Sequence, residues 1–351
     1  MPTRIGLMGL GRVGRNIFRI LYKRDDIRIA AISDTADHAG LAYLLRFDSI
    51  LGRFPDEVSL KDGHLYAAGR QIRMLSGEKP GDVDWGALGV DVVVEATGRF
   101  RTRAEIERHL EKGAKRVILC APPADPPDLT VVMGLNDDRL RPEHRIVSNA
   151  SNTAHAAAPL ARILYDAFGI ERAFLATVHA YTNQQRLADV PDADPRRGRA
   201  AAENIIPQET NSDEMLAELI PELAGKVSGI AMNVPVPNGS VVDLVCWHGA
   251  DVTVDAVNEV VRTACATDRW RGILDYSADP IVSSDVQKST FSGTFDSLAT
   301  MTLGSRVSKT LAWFDNGWGY AHRVVDLIRR FEELDRDAAE KKAAAEKKEV
   351  A

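Results

Sequence analysis

The string Gly9-Leu-Gly11-Arg-Val-Gly14 constrains this chain more than any other feature. It follows a short apolar run at residues 4–8 and opens a helical pattern over 12–21. Gly9 permits a tight turn, Gly11 lets a pyrophosphate approach the backbone, and Gly14 lets helix and strand pack closely. The helix start, with Arg12 and Val13 in its first turn, presents backbone N–H groups to phosphates. Asp34 stands about twenty residues beyond Gly14, at the end of the second apolar run, where an acid accepts hydrogen bonds from a ribose 2′-hydroxyl. An acid there repels a 2′-phosphate, so NAD is preferred. Ser33 and Thr35 flank it and keep NADP as the less favoured alternative.

The rest of the first half repeats the pattern. Apolar runs at 27–32, 91–95, 115–120, 130–133 and 145–147 alternate with helical stretches such as 102–111, which implies β-α-β units and a doubly wound parallel sheet. After residue 149 the character changes. Segments 170–180, 227–235 and 240–248 mix apolar and polar residues, as antiparallel strands with one covered face do, and helical patterns separate them at 154–168 and 254–266. The expected organisation is a dinucleotide domain over 1–149 and an α+β domain over 150–317 with a mostly antiparallel sheet. A closing helix over about 318–335 returns to the first domain, and a charged Ala/Lys/Glu tail follows over 336–351.

A chain of 351 residues exceeds one ordinary core, in agreement with two domains. Its net charge of −6 offers no basic field for nucleic acid or acidic membrane surfaces. No apolar run reaches membrane-spanning length. Cys120, Cys246 and Cys265 are widely spaced and form no C-x-x-C pair, so neither a disulfide framework nor a metal site is expected, and the cytoplasm is the default compartment.

Several further strings resemble the glyceraldehyde-3-phosphate dehydrogenase family. Gly11-Arg-Val-Gly-Arg15, Phe47-Asp-Ser, Glu95-Ala-Thr-Gly-Arg-Phe100, Ser148-Asn-Ala-Ser151 and Thr177-Val-His-Ala-Tyr-Thr-Asn183 carry the likeness. So do Asn204-Ile-Ile-Pro207, Val234-Pro235, Ser240-Val-Val-Asp-Leu244 and Trp313-Phe-Asp-Asn-Gly-Trp-Gly-Tyr320. The resemblance implies a homotetramer of two-domain subunits in which residues 181–206 form an interface loop. It also implies Thr97 over the cofactor pocket, Cys120 close to the nicotinamide and Asn316 as partner of its carboxamide. Pro191 agrees with NAD-preferring members.

The family's chemistry requires a thiolate to attack an aldehyde, a histidine to lower the thiol pKa and take up a proton, and anion sites for two phosphates. His179 matches the histidine. The thiol is missing: where the family reads Ala-Ser-Cys-Thr-Thr-Asn, this chain reads Ala150-Ser151-Asn152-Thr153-Ala154-His155, with Asn152 at the nucleophile's place. A carboxamide has no lone pair basic enough to add to an aldehyde. The family's substrate-phosphate arginine is Asn233 here, while Thr182 remains as a hydroxyl partner. Ser151, Thr153 and Thr210 match the hydroxyls of the inorganic-phosphate site, but Asn211 follows Thr210, and Glu209, Asp213 and Glu214 add negative charge.

Three readings follow. The chain is an NAD(H)-binding family member without the family activity and with a regulatory or scaffolding role, its protein partner unknown. Alternatively, it is an NAD-dependent oxidoreductase with altered substrate and His179 as acid–base. The third reading relocates the nucleophile to Cys120. His155, one turn beyond Asn152, and His179 do not make a metal site, because no carboxylate or Cys stands at ligand spacing.

Overall fold

The computed structural model describes residues 2–349. The chain divides into two compact units, one of Met1–Val131, Asn136–Ala150 and Ala321–Ala351, the other of Val132–Leu135 and Ser151–Tyr320.

In the first unit the strands are β1 (Thr3–Met8), β2 (Ile27–Ser33), β3 (Phe47–Asp48), β4 (Gly52–Arg53), β5 (Val58–Lys61), β6 (His64–Ala67), β7 (Arg70–Leu75), β8 (Val92–Glu95), β9 (Arg116–Leu119), β10 (Leu129–Thr130) and β11 (Ile146–Ser148). Helices α1 (Arg12–Leu21), α2 (His38–Arg46) and α3 (Arg103–Glu111) connect them. The nine-stranded sheet runs β10-β11-β9-β8-β1-β2-β7-β6-β5. It is parallel from β10 to β7, as the alternating pattern predicts. The antiparallel edge β5-β6-β7 was not legible in the sequence; its turns lie at Asp62-Gly63 and Ala68-Gly69, all four with positive φ. The expected strand over 130–133 shortens to β10, and the chain leaves the ladder after Val131, whose N–H still donates to the Ser148 carbonyl at 2.8 Å.

Local chemistry explains the elements. The four residues of β8, Val-Val-Val-Glu, are all buried, the signature of a parallel strand covered on both faces. Thr102 and Glu105 form a reciprocal capping box that starts α3. Trp85 is fully buried in a cluster with Met8, Val93, Ile106 and Val117. Its ring occupies the space above Gly6, where a Cβ would come within 2.5 Å of it.

The second unit holds α4 (Asn152–Phe168), β12 (Arg172–Ala180), β13 (Ile206–Gln208), α5 (Ser212–Leu219), β14 (Val227–Val234), β15 (Ser240–Trp247), α6 (Val254–Cys265), β16 (Leu274–Ser277), β17 (Gly293–Leu303) and β18 (Val307–Phe314). Its seven-stranded sheet runs β13-β14-β12-β15-β18-β17-β16. It is mostly antiparallel, with parallel pairs at β12–β14 and β16–β17. Strand β18 alternates between buried and half-buried residues along its whole length, as a sheet with one covered face requires. Helices α4, α5 and α6 cover that face. The opposite face leaves Phe174 and Trp247 exposed in edge-to-face contact, beside exposed Ile230, Met301 and Leu303.

The closing helix α7 (Trp318–Glu349) starts at the expected residue 318 but runs well past the expected end at 335, so the tail begins as its unbroken extension; residues 350–351 lie outside the described residues. Within the first unit, Asp335 receives two hydrogen bonds from Arg116, whose guanidinium lies over the Phe331 ring.

Buried His248 bonds the Gly169 carbonyl through Nδ1 and the Ser308 hydroxyl through Nε2. Burial holds its pKa below the ordinary value, against the Gly169 bond, which acts upward. The unfolded chain therefore binds the proton more readily, so this contribution to stability is complete above pH ~6.5 and is lost as pH falls below it. A Tm series between about pH 5.5 and pH 7.5 should show a shallower acid decline in His248→Gln than in the wild type.

Candidate active site

The glycine loop forms at the end of β1. Gly9 has φ +96°, and its N–H donates to the Ser33 carbonyl at 2.8 Å. A Cβ at Gly14 would sit 2.2 Å from the Gly9 carbonyl oxygen, so helix α1 packs as closely as backbone allows. Gly11 differs from both: a Cβ there would meet nothing within 4 Å among the described residues, which leaves the space above its backbone open. Arg12 and Val13 follow as the first two residues of α1. Asp34 comes directly after β2. Its Oδ2 accepts the Leu10 N–H at 2.7 Å and its Oδ1 the Ala36 N–H at 3.0 Å, so the acid is fastened to the glycine loop.

Arg15 donates to Asp48 and to the Leu10 carbonyl. Although burial pushes the Asp48 carboxyl up, the N–H groups of Leu51 and Ile50 and the Arg15 guanidinium leave it below its usual range. Thr97 ends the segment after β8. Both its N–H and its hydroxyl donate to Glu95 Oε1. Cys120 follows β9, and burial first, then the Glu95 charge, push its thiol far up. A nucleophilic cysteine needs the opposite shift, so the surroundings of Cys120 do not favour its thiolate.

In the second unit Ser151 caps α4, its hydroxyl accepting the Ala154 N–H at 3.1 Å. Ala150, just before the cap, holds a left-handed φ of +50°, a strained position for a residue with a Cβ. Asn152 is the first helical residue. Its Oδ1 accepts the Thr153 N–H at 2.8 Å, and its Nδ2 donates to the Asn316 carbonyl at 2.9 Å. The Asn316 amide nitrogen in turn donates to Ser240 Oγ at 2.6 Å and lies 3.2 Å from His179 Nε2. His179 Nδ1 donates to its neighbouring Ala180 carbonyl at 2.6 Å, which leaves Nε2 as the proton-accepting atom. Asn152, His179 and Asn316, far apart in sequence, thus form one hydrogen-bonded group.

Two residues that build this group were not singled out as candidates from the sequence, although Asp315 lies within the string 313–320. Asn238 accepts the Asn316 N–H at 2.9 Å and donates to Asp315 at 2.7 Å. Buried Asp315 also accepts the N–H groups of Lys288, Gly317 and Trp318, fixing the chain on both sides of Asn316. Asp315 neighbours the candidate Asn316, whereas Asn238 neighbours none.

The remaining candidates are uncharged side chains on separate elements, with acids beside one of them. Register pairs Asn233 on β14 with His179 on β12; Asn233 is buried, and its Nδ2 has no hydrogen-bond partner among the described residues. The Thr182 N–H and hydroxyl both donate to Gln185 Oε1, so that side chain is committed to its own turn. Thr210 exchanges a hydrogen bond with Ser212 at 2.8 Å at the start of α5, whose first turn carries Asp213 and Glu214. Thr153 is buried. His155 is also buried, edge-on to Tyr320, and lines the helix's packed side.

A family model described as glyceraldehyde 3-phosphate dehydrogenase, NAD binding domain, matches residues 3–103, and the model of that enzyme's C-terminal domain matches residues 151–316. The chain belongs to the glyceraldehyde-3-phosphate dehydrogenase family. Glyceraldehyde-3-phosphate dehydrogenase of Geobacillus stearothermophilus is 47% identical over 328 residues, covering 93% of this chain and 97% of that one. The Streptomyces coelicolor protein of that name is 47% identical over 329 residues, with 93% and 98% covered. That of Mycobacterium leprae is 46% identical over 335 residues, again with 93% and 98% covered. NAD is the cofactor that goes with this family's first domain, and the residues present fit it: closed glycines at 9 and 14, open space over Gly11, and Asp34 anchored beside them. Among the described residues no helix is long and apolar enough to cross a membrane.

The two kinds of glycine make separable predictions. Gly11→Ala has a compatible φ of −68° and open space, so the melting temperature should stay unchanged while NAD affinity, read by calorimetry, falls at least about tenfold. Gly14→Ala should lose both, because its Cβ collides with backbone that cannot yield.

Proposed function

We propose that this family member binds NAD(H) without forming the family thioester, and that its role is regulatory or scaffolding. The observation that carries the reading is Asn152. At the position the resemblance assigns to the catalytic cysteine stands an uncharged amide whose two polar ends are both engaged, by Thr153 and by Asn316. Such a group supplies no nucleophile to an aldehyde, and loss of the nucleophile from a cooperating set costs ~10^6 in rate in the protease precedent.

The anion pockets support the same reading. Asn233 in place of arginine removes a charge-assisted contact to phosphate worth about 1.5–3 kcal/mol. Asp213 and Glu214 in the first turn of α5 already complement its dipole and repel a further anion near Thr210. In this reading Ser151 and Thr153 keep structural work, as helix cap and buried hydroxyl. The assembly we propose is the family homotetramer in the cytoplasm. The exposed aromatic and aliphatic side chains on the open face of the seven-stranded sheet support association, since monomers rarely leave such a patch uncovered. A monomer mass by light scattering would count against it.

A second reading is favoured by one observation, the tautomer of His179. With Nδ1–H committed to Ala180, Nε2 is set to take a proton from the hydroxyl of an alcohol or aldehyde hydrate. NAD supplies a hydride acceptor when bound. Ser240 and Asn238 hold Asn316 beside that nitrogen. Loss of the phosphate-binding arginine then selects substrates without a terminal phosphate.

One set of assays separates these readings, on protein free of host enzyme. Under the first, NAD titrates but glyceraldehyde 3-phosphate with inorganic phosphate is not oxidised. Asn152→Cys then creates an iodoacetamide-reactive thiol, and Asn152→Cys with Asn233→Arg gains turnover. Oxidation of that substrate by the unmodified chain would sink it. Under the second, a panel of unphosphorylated aldehydes and alcohols contains a substrate whose turnover disappears in His179→Ala; a silent panel rules it out.

A further inference from the structure

A chain of buried polar side chains runs beneath the dinucleotide cradle of the first unit. The Trp85 indole N–H donates to His109 Nδ1 at 2.9 Å, and His109 Nε2 lies 3.3 Å from Glu95 Oε2. Because Nδ1 accepts from the indole, the ring proton sits on Nε2, and His109 is a neutral donor to the carboxylate. The other oxygen, Oε1, receives the N–H and the hydroxyl of Thr97. Trp85 and Glu95 are wholly buried and His109 nearly so. Buried polar groups must be satisfied, and here three donors converge on one carboxylate while the fourth contact orients the donor ring.

The far end of the chain reaches the cofactor loop. A Cβ at Gly9 would lie 2.9 Å from the Thr97 nitrogen and 3.0 Å from the Ala96 carbonyl carbon and oxygen. Thr97 therefore walls the turn that must admit phosphates. Its hydroxyl is not available to a ligand, since it donates to Glu95 and accepts the Arg99 N–H at 3.1 Å. What Thr97 contributes is position, and that position is set from below. Gly6 takes part as well, because only a residue without a Cβ leaves room for the Trp85 ring.

We propose that Glu95 and His109, with Trp85 behind them, are positioning residues for NAD: they hold Thr97 against Gly9 and keep the glycine loop in its binding shape. The proposal rests on the NAD reading of the cradle. Both side chains are buried and act through Thr97. Glu95→Gln keeps the side chain's shape but turns one acceptor into a donor. Its amide then faces either the Thr97 donors or the His109 N–H, and the wall is released. His109→Leu leaves Oε2 without its donor. His109→Gln restores an N–H to that oxygen.

The test is calorimetric titration of NAD into the full-length chain and these three variants, with the unliganded melting temperature recorded in parallel. NAD affinity should fall about tenfold or more in Glu95→Gln and His109→Leu, and return to within about threefold of the wild type in His109→Gln. Unchanged affinity in folded Glu95→Gln or His109→Leu would overturn the positioning role and leave the NAD reading intact. A His109→Gln protein that folds but binds no better than His109→Leu would overturn it too. Should His109→Leu not fold, Glu95→Gln decides; failure of that isosteric variant to fold would assign the chain of bonds to stability alone, against the proposal. A wild-type chain that does not bind NAD at all would remove the NAD reading and the proposal together.

Discussion

The approach of Gly14 to the carbonyl of Gly9 governs the first unit. With 2.2 Å between that oxygen and the place of a Cβ, helix α1 starts directly on the end of β1, and its N–H groups point where phosphates must lie. The contact is possible only between backbones. Asp34 and Thr97 then close the turn from two sides, one accepting the Leu10 N–H, the other abutting Gly9. Each is held from a neighbouring strand of the same sheet, so the cradle is a property of β1, β2 and β8 together.

The second unit shows the opposite economy. Its central group of Asn152, His179, Asn316, Ser240 and Asn238 is joined by neutral hydrogen bonds, and its one anchoring charge, Asp315, is buried and bonded to Asn238 and three backbone N–H groups. Neutral bonds of this kind are worth about 1 kcal/mol each, but a buried group left unpaired costs more. The set is therefore well suited to holding a geometry. His179 carries the group's basic nitrogen, Nε2, which faces the Asn316 amide.

Much of this was legible beforehand. Gly9, Gly11 and Gly14 could be assigned separate tasks because glycine's roles in a strand-to-helix turn are few, and the structure gives each a different steric surrounding. The parallel core of the first sheet followed from runs such as Val92–Glu95. The edge β5-β6-β7 escaped because its strands are short and polar, although Asp62-Gly63 is a favoured hairpin turn pair, and because Ala68 adopts left-handed backbone without being glycine. The extent of α7 escaped because an Ala/Lys/Glu stretch carries no apolar face to separate an extended helix from a loose tail. Thr182, expected from the sequence as a hydroxyl partner, donates to Gln185, three residues on.

By itself, the sequence determined the family, the two-part organisation, the acid behind the glycine loop and the amide at position 152, since these depend on residue type and local spacing. Tertiary structure alone decided which nitrogen of His179 can accept a proton, that Glu95 stands where it disfavours a Cys120 thiolate, and that Trp85, His109 and Glu95 form one line beneath Thr97. Those outcomes turn on distances between residues remote in the chain and on burial, and neither is written in local pattern.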